Sequence, residues 1–407
     1  MIYVVGRLRK IMFVLEYKLK GKAKQYQAID ESIRTVQFVR NKCLRYWEDG
    51  QNIGQKDLYR YVTQLRKEFE FVKALNSTAC QQACERTWTS ILKFYANCKN
   101  KIQGKKGYPK YSKSTRSFEL KQSGWKLDRD AKKIAFTDGK NIGEFKLIGS
   151  RDLYYFQDFQ INRVRVVKRA DGYFCQFLLK LDVRDIVPQL KPTQKCVGID
   201  VGLKYFYSDS NGSTIVTPNY YRKSEKRLKK LNRRKSKKFK KGNLQSNNYI
   251  KAKKQYSKRH LKVSRQREEF AKEKALRLIQ SNDLVAYEDL KVKNLVRNSK
   301  LAKSINDAAW SQFRKWIEYF GVKYSRLTIA VSPQYTSVDC FNCGKRIKKS
   351  LSVRTHVCEC GYCEDRDINA ALNILKKATT GHVGSWSEQL DRNAWGESTS
   401  TLIGVIQ

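Results

Sequence analysis

The sequence predicts a multidomain protein of mixed α/β and α+β class, on three observations. Phe13, Leu15, Tyr17 and Leu19 alternate with Val14, Glu16 and Lys18, the period of a half-buried strand. Residues 161–182 read as a hairpin, with Val164 and Val166 before Asp171-Gly172 and Tyr173, Cys175, Phe177 and Leu179 after it, a pair that fits a type I′ turn. In the second half, Cys196-Val-Gly-Ile-Asp200 and Leu284-Val-Ala-Tyr287-Glu288 are short apolar runs that end at acids, as buried strands presenting carboxylates would.

Residues 1–11 are expected to be an upstream extension, because Met12 stands directly before the first alternation. A long amphipathic helix follows, with Tyr26, Ile29, Ile33, Val36, Val39, Cys43 and Trp47 on one stripe and Asp49-Gly50 at its end. Further helices are expected over 55–68 and from Ser77, the last with Cys80, Cys84, Trp88, Ile91, Tyr95 and Cys98 on a core face. A strand, three helices and a later hairpin make residues 12–186 a small β-domain with a helical insertion at about 23–100. A linker over 187–195 precedes the second half. There, residues 196–339 carry basic helices over 222–280, a cysteine module spans 340–361, a closing helix lies within 362–377, and residues 378–407 form a disordered tail.

Charge narrows the function. The 407 residues hold 84 Lys and Arg against 38 Asp and Glu, a net charge of +46, an excess that calls for a polyanionic partner. The chain is 41% hydrophobic and 12% aromatic, enough for packed cores, so it is no disordered basic tail. No apolar stretch approaches the roughly 18 residues of a membrane span, and no secretory signal opens the chain, so a cytoplasmic, nucleoid-associated protein without a membrane partner is expected. Eleven Cys without a signal favour free thiols or metal ligands over disulfides.

Thirteen Lys or Arg and one acid, Glu225, fall between Arg222 and Lys241. Arg222, Lys226, Arg227, Lys229, Lys230, Arg233, Arg234, Arg259 and Arg265 are therefore candidates for phosphate contact. Cations beside rings over 99–126 add Tyr108, Lys110, Tyr111 and Arg116 as candidates for backbone contact and base stacking. Cys340-Phe-Asn-Cys343-Gly and Cys358-Glu-Cys360-Gly have the spacing of two knuckles around one tetrahedral, structural Zn²⁺. Cys363 and His356 are rival ligands; Cys360 is preferred because Gly361 repeats the Cys343-Gly344 turn. Asp200, Glu288 and the Asp365-Arg366-Asp367 pair form a dispersed set of oxygen ligands. Brought together, three carboxylates would hold two Mg²⁺ or Mn²⁺ ions for phosphodiester hydrolysis. The chain has three His, so a site built on several histidines is excluded, and no GxxxxGK[ST] loop points to an ATP-driven motor.

These residues resemble the TnpB family, the compact RNA-guided DNA endonucleases of insertion sequences related to type V CRISPR effectors. The likeness runs from Met12 to about Lys377. It rests on Gln37-Phe-Val-Arg-Asn41-Lys-Cys43-Leu, Gly107-Tyr-Pro-Lys-Tyr111, Val197-Gly-Ile-Asp200, Tyr287-Glu288-Asp289-Leu, Ser304-Ile-Asn-Asp307-Ala-Ala-Trp310, the cysteine module, and Asp365-Arg-Asp367-Ile-Asn369-Ala-Ala. The resemblance implies a β-barrel-like wedge domain with a helical recognition insertion over 12–186. It implies a RuvC-like nuclease of RNase H fold over 196–339 and 362–377, interrupted by a zinc ribbon-like module. It carries the catalytic triad over to Asp200, Glu288 and Asp367, with Asp365 as a possible accessory acid. The implied partners are a guide RNA from the transposon end and double-stranded target DNA cut beside a short flanking motif, with a monomeric protein. Three alternatives are a miniature type V CRISPR effector, a guide-dependent repressor that does not cut, and a transposase that joins DNA ends without RNA.

Overall fold

The computed structural model describes residues 3–4 (backbone only), 13–181, 187–188, 190–350 and 353–380. The chain divides into two units, residues 10–182, and residues 183–407 with 1–9. The first described strand, β1 (Tyr3–Val4), falls within the stretch expected as an extension and belongs to the second unit's sheet. The rest of that stretch, and the expected tail from residue 381 on, lie outside the described residues.

In the first unit, β2 (Phe13–Lys20) buries every second residue, as its alternation predicts. Helices α1 (Ala23–Asp49), α2 (Gln55–Glu68), α3 (Glu70–Lys73) and α4 (Ser77–Lys99) follow. Strands β3 (Ser117–Leu120), β4 (Trp125–Asp128), β5 (Lys133–Phe136), β6 (Gly143–Ile148), β7 (Ile161–Arg169) and β8 (Gly172–Leu179) complete the unit. The seven strands pair antiparallel in the order β3-β7-β8-β2-β6-β5-β4. Two details differ from expectation. Arg169 pairs with Gly172, so the hairpin's central residues are Ala170 and Asp171; neither adopts a positive φ, and the turn is not type I′. Cys80 and Cys84 are core residues but Cys98 is exposed, because α4 leaves the core after Ile91.

The second unit is built on a six-stranded sheet. Strands β9 (Cys196–Asp200), β10 (Tyr205–Asp209) and β11 (Thr214–Val216) run antiparallel in succession. Helices α5 (Tyr220–Lys237) and α6 (Asn247–Ser281) then lead to β12 (Leu284–Glu288), which lies parallel to β9. The basic stretch is thus two helices, broken near Gly242, whose φ is +78°. After α7 (Val292–Leu295), α8 (Ser299–Ala308) and α9 (Trp310–Lys323), β13 (Leu327–Val331) adds parallel to β12, and β1 pairs antiparallel on its far edge. The sheet order is β1-β13-β12-β9-β10-β11. A two-stranded pair, β14 (Thr355–Val357) with β15 (Cys363–Asp365), precedes α10 (Arg366–Thr380).

The central strands are apolar on both faces because both faces are covered. Val197, Ile199, Val285, Tyr287 and Ala330 pack with Ala271, Ala275 and Ile279 of α6 and with Phe313, Ile317 and Phe320 of α9. Leu284, Ala286, Ile329 and Val331 pack with Ile374 and Ala378 of α10. The approach of α10 to β9 is the tightest part of this layer. A Cβ on Gly198 would lie 2.2 Å from the Ala371 carbonyl oxygen and 2.8 Å from the Leu375 nitrogen. Backbone atoms cannot rotate away as a flexible side chain can, so α10 itself would have to move. Gly198→Ala should cost about 1–3 kcal/mol of stability as an overpacking substitution; an unchanged denaturation midpoint would contradict the packing described.

Candidate functional site

Asp200 ends β9 and Glu288 ends β12, each one step beyond the Ile199–Tyr287 pair of two adjacent parallel strands. Asp367 stands in the first turn of α10, the helix that Gly198 admits against β9. The three acids share one electrostatic site. Burial pushes the Asp200 carboxyl well above the ordinary range, and the charges of Glu288 and Asp367 push it further. Glu288 is also raised by burial, against the Thr336 hydroxyl and the Lys377 charge. Asp367 is raised by burial and by Asp365, with Arg354 the main opposing charge.

The surroundings hold these groups individually. The Thr336 hydroxyl donates to Glu288 Oε1 at 2.5 Å, and Arg354 pairs with Asp367 Oδ2. Asp365 caps α10: its Oδ1 accepts from the Asp367 amide at 2.7 Å and the Ile368 amide at 3.4 Å. One helical turn further, two Asn tie the cysteine module to the same helix. Buried Asn369 donates to the Asp339 carbonyl and accepts from the Phe341 amide, and Asn373 donates to the Thr336 and Asp339 carbonyls at 2.9 and 2.7 Å. The loop that supplies Thr336 to Glu288 is thereby fastened to the helix that carries Asp367. Sequence reasoning missed Thr336, Arg354 and this pair of Asn. The pair had a readable signal, since two amides at i and i+4 on the apolar face of a helix need buried partners.

In the cysteine module, the sulfurs of Cys340, Cys343, Cys358 and Cys360 all lie within 4.8 Å of one another. Both knuckles close alike: the Gly344 amide donates to the Cys340 carbonyl, and the Gly361 amide to the Cys358 carbonyl. Gly344 at φ +76° and Gly361 at φ +85° take the left-handed conformation that these turns require. The second knuckle is one residue shorter, which the tighter turn absorbs. The Tyr362 amide, then the Asn342 side chain, lower Cys360 to about 6, favouring the thiolate that a metal needs. The rival ligands stand apart from the quartet. Cys363 is exposed in β15, and His356 is fully buried in β14, its ring 6.1 Å from that of Tyr362. The quartet suits a structural zinc, a closed four-sulfur site with no open position.

Two basic surfaces complete the inventory. Between α5 and α6 lies a groove of about 1020 Å³ whose lining includes Lys226, Arg227, Lys230, Arg234 and Arg259, together with Lys223, Lys258 and Lys262, and no acid. Arg259 bridges the two helices through Ser224 at 2.9 Å. Lys229 and Arg222 pair instead with Glu225, and Arg222 also donates to Ser304. Arg233 and Arg265 are exposed on the same helices. The groove depends on a residue that the charge run did not suggest. Buried Asp307 of α8 accepts the Tyr221 and Arg222 amides at 2.8 and 3.1 Å, fixing the start of α5.

In the first unit, Tyr108 and Tyr111 are 49% and 43% exposed, and both donate to Glu48. The ring of Tyr108 lies 5.7 Å from Trp47 and 5.2 Å from Phe94. Lys110 and Arg116 are exposed beside them. Gln37 and Asn41 of α1 hold this loop through the Thr115 amide and the backbone of Ser112.

Residues 176–299 match the family model described as "Probable transposase", and residues 310–374 match "Cas12f1-like, TNB domain". The chain is 29% identical over 381 residues to a Streptomyces pristinaespiralis protein named "Putative RNA-guided DNA endonuclease", covering 90% of each. It is 23% identical over 391 residues to the Escherichia coli "Putative RNA-guided DNA endonuclease InsQ", covering 90% of this chain and 92% of that one. Its fold is similar to that in a Cas12f1–sgRNA–target DNA complex, with a TM-score of 0.51, 14% identity, and coverage of 86% of this chain and 81% of that one. It is also similar to the mini-RNA-guided endonuclease Cas-phi3, with a TM-score of 0.52, 11% identity, and coverage of 92% and 93%. These are mixed α/β effectors of small size. The two matched family models and the two full-length relatives together support the TnpB family for this chain.

Two outcomes test the site. In cobalt-substituted protein, Cys360→Ser should abolish or strongly weaken the thiolate charge-transfer band while Cys363→Ser leaves it intact; the reverse would move the fourth ligand. In magnesium-free buffer, Asp200 favours the folded state only while protonated. That contribution is complete below the ordinary aspartate value of about 3.9 and is lost as pH rises through the raised folded value. Asp200→Asn should therefore raise the thermal midpoint at pH 8, with the gain shrinking toward pH 4. A gain that does not vary with pH would dissolve the shared charge site.

Proposed function

We propose that the protein is an RNA-guided DNA endonuclease of a transposable element, cutting target DNA beside a short flanking motif. The observation that carries this reading is the meeting of Asp200, Glu288 and Asp367 at the ends of two parallel strands and the start of α10, where each carboxyl is raised by burial. A buried group of acids whose raised carboxyls neighbouring cations only partly offset is costly, and divalent metal binding is the simplest use for it. The names of the two full-length relatives support the same activity. The sheet order, three antiparallel strands followed by two parallel ones, supports a RuvC-like, RNase H-type domain.

In this mechanism Asp200, Glu288 and Asp367 would hold two Mg²⁺ or Mn²⁺ ions. When bound, the metals activate a water and stabilise the leaving oxygen of an in-line phosphodiester displacement. The protein's own residues do the positioning. Thr336 orients one Glu288 oxygen, Asp365 fixes the α10 terminus that bears Asp367, and Arg354 holds one oxygen of Asp367. The α5–α6 groove would grip the phosphates of the guide–target heteroduplex, whose pairing reads the sequence, while the first unit holds guide RNA and reads the flanking motif. The zinc module keeps Thr336 and α10 in register. The match to a Cas12f1-like domain favours, as a second reading, a miniature type V CRISPR effector with the same chemistry.

The test is plasmid cleavage by the protein co-purified with RNA from its native flanking region. Asp200→Ala and Glu288→Ala should each lower cutting at least 1,000-fold and leave guide-directed DNA binding within a fewfold of wild type. Mg²⁺-dependent cutting retained in either variant would overturn the assignment, and efficient end-joining without RNA would favour a transposase.

A further inference from the structure

A cavity of about 250 Å³ lies beside the carboxylates, between the ends of β9 and β12 and helix α9, and Glu288 is part of its wall. From the reading that Asp200, Glu288 and Asp367 cut DNA, we infer that this cavity receives one unstacked nucleotide of the strand being cut. Its base would lie against Trp310 and its phosphate toward Lys315.

Four features support this occupant. The volume falls below the roughly 300–1,000 Å³ usual for drug-sized ligands and matches a single nucleoside rather than a stacked pair. The wall is apolar where a base would lie, with Val201, Leu290 and Val292 around Trp310. Trp310, 8% exposed, supplies an aromatic side chain to that wall. Lys315 is exposed at the rim and forms no ion pair among the described residues, whereas Arg314 beside it is engaged by Asp289 and Glu318 and serves as wall.

The surroundings also exclude a sealed packing void. Ser311 and Lys315 open the cavity to solvent, and Glu288 joins it to the carboxylate site. An apolar, aromatic slot reads little base identity, since every base has a π-face. It does discriminate pairing, because a base in a duplex cannot enter without leaving its stack. The cavity would therefore admit the strand to be cut only after it has been opened, and would set its scissile phosphate at a fixed step from the bound nucleotide.

An abasic scan tests this on the wild-type RNA complex. Each nucleotide within a few positions of the cut is replaced in turn by an abasic residue, and single-turnover cleavage is measured. One position should slow cutting roughly tenfold, the range of base–aromatic stacking, while its neighbours change it little. That penalty should vanish in Val292→Trp, which fills the slot, and shrink in Trp310→Phe, which replaces the indole by a smaller stacking face. Lys315→Glu, at an exposed position with no packing role, should lower cutting of all substrates without changing guide RNA binding. A scan with no privileged position in a complex that cuts normally would overturn the nucleotide slot and leave the nuclease reading standing. A penalty that persists undiminished in Val292→Trp would also overturn it. Failure of the nuclease reading would appear separately, as cutting retained in Asp200→Ala.

Discussion

The second unit depends on one close approach, that of α10 to β9 across Gly198. Because no side chain separates them, the helix backbone rests directly on the strand, and the first turn of α10 falls beside the strand's terminal acid. Three acids distant in sequence become one charged site through this contact, at the cost of desolvating each carboxyl and of the repulsion that Glu288 and Asp367 exert on Asp200. A larger residue at 198 would preserve every acid and still separate them.

The cysteine module is the second member of the same assembly. With the loop that leads into it, the module touches each side of the charged site: Thr336 at Glu288, Arg354 at Asp367, and the Asp339 and Thr336 carbonyls at α10. A four-thiolate metal would thus act at a distance, by keeping a loop and a helix in one relative position. Asp283 and Arg326 make a comparable anchor at the other end of the sheet. Buried Asp283 accepts from the Thr193 and Gln194 amides and pairs with Arg326, fastening the residues that enter β9 to the start of β12.

Much of this was legible in the sequence where apolar period and residue type coincide. The alternation at Phe13–Leu19, the stripe of α1 and the acid-ended runs of β9 and β12 are local patterns, and they fold as read. The cysteine quartet was legible too, down to Cys360 over Cys363, because a glycine after the cysteine marks the knuckle turn. What escaped were contacts with no periodicity. Thr336 sits 48 residues from Glu288, and Asp307 caps a helix that precedes it by more than eighty residues. The hairpin turn was misplaced by one residue because Asp-Gly is a turn signal whose register only the strand pairing decides. Cys98 continued the stripe of α4 past the point where any neighbour covers it.

Helix α6 unites two halves of opposite character. Residues 268–281 carry Glu268, Glu269 and Glu273 and bury Ala271, Ala275 and Ile279 against the sheet, while residues 247–267 carry no acid and line the groove with α5. At 1.5 Å per residue its 35 residues form a rod of about 52 Å. The pair α5–α6 is consequently a lever clamped at one end. Any load that a polyanion places on its outer half is delivered as a bending moment at Ala275 and Ile279, which bear on the strand face whose next residue is Glu288.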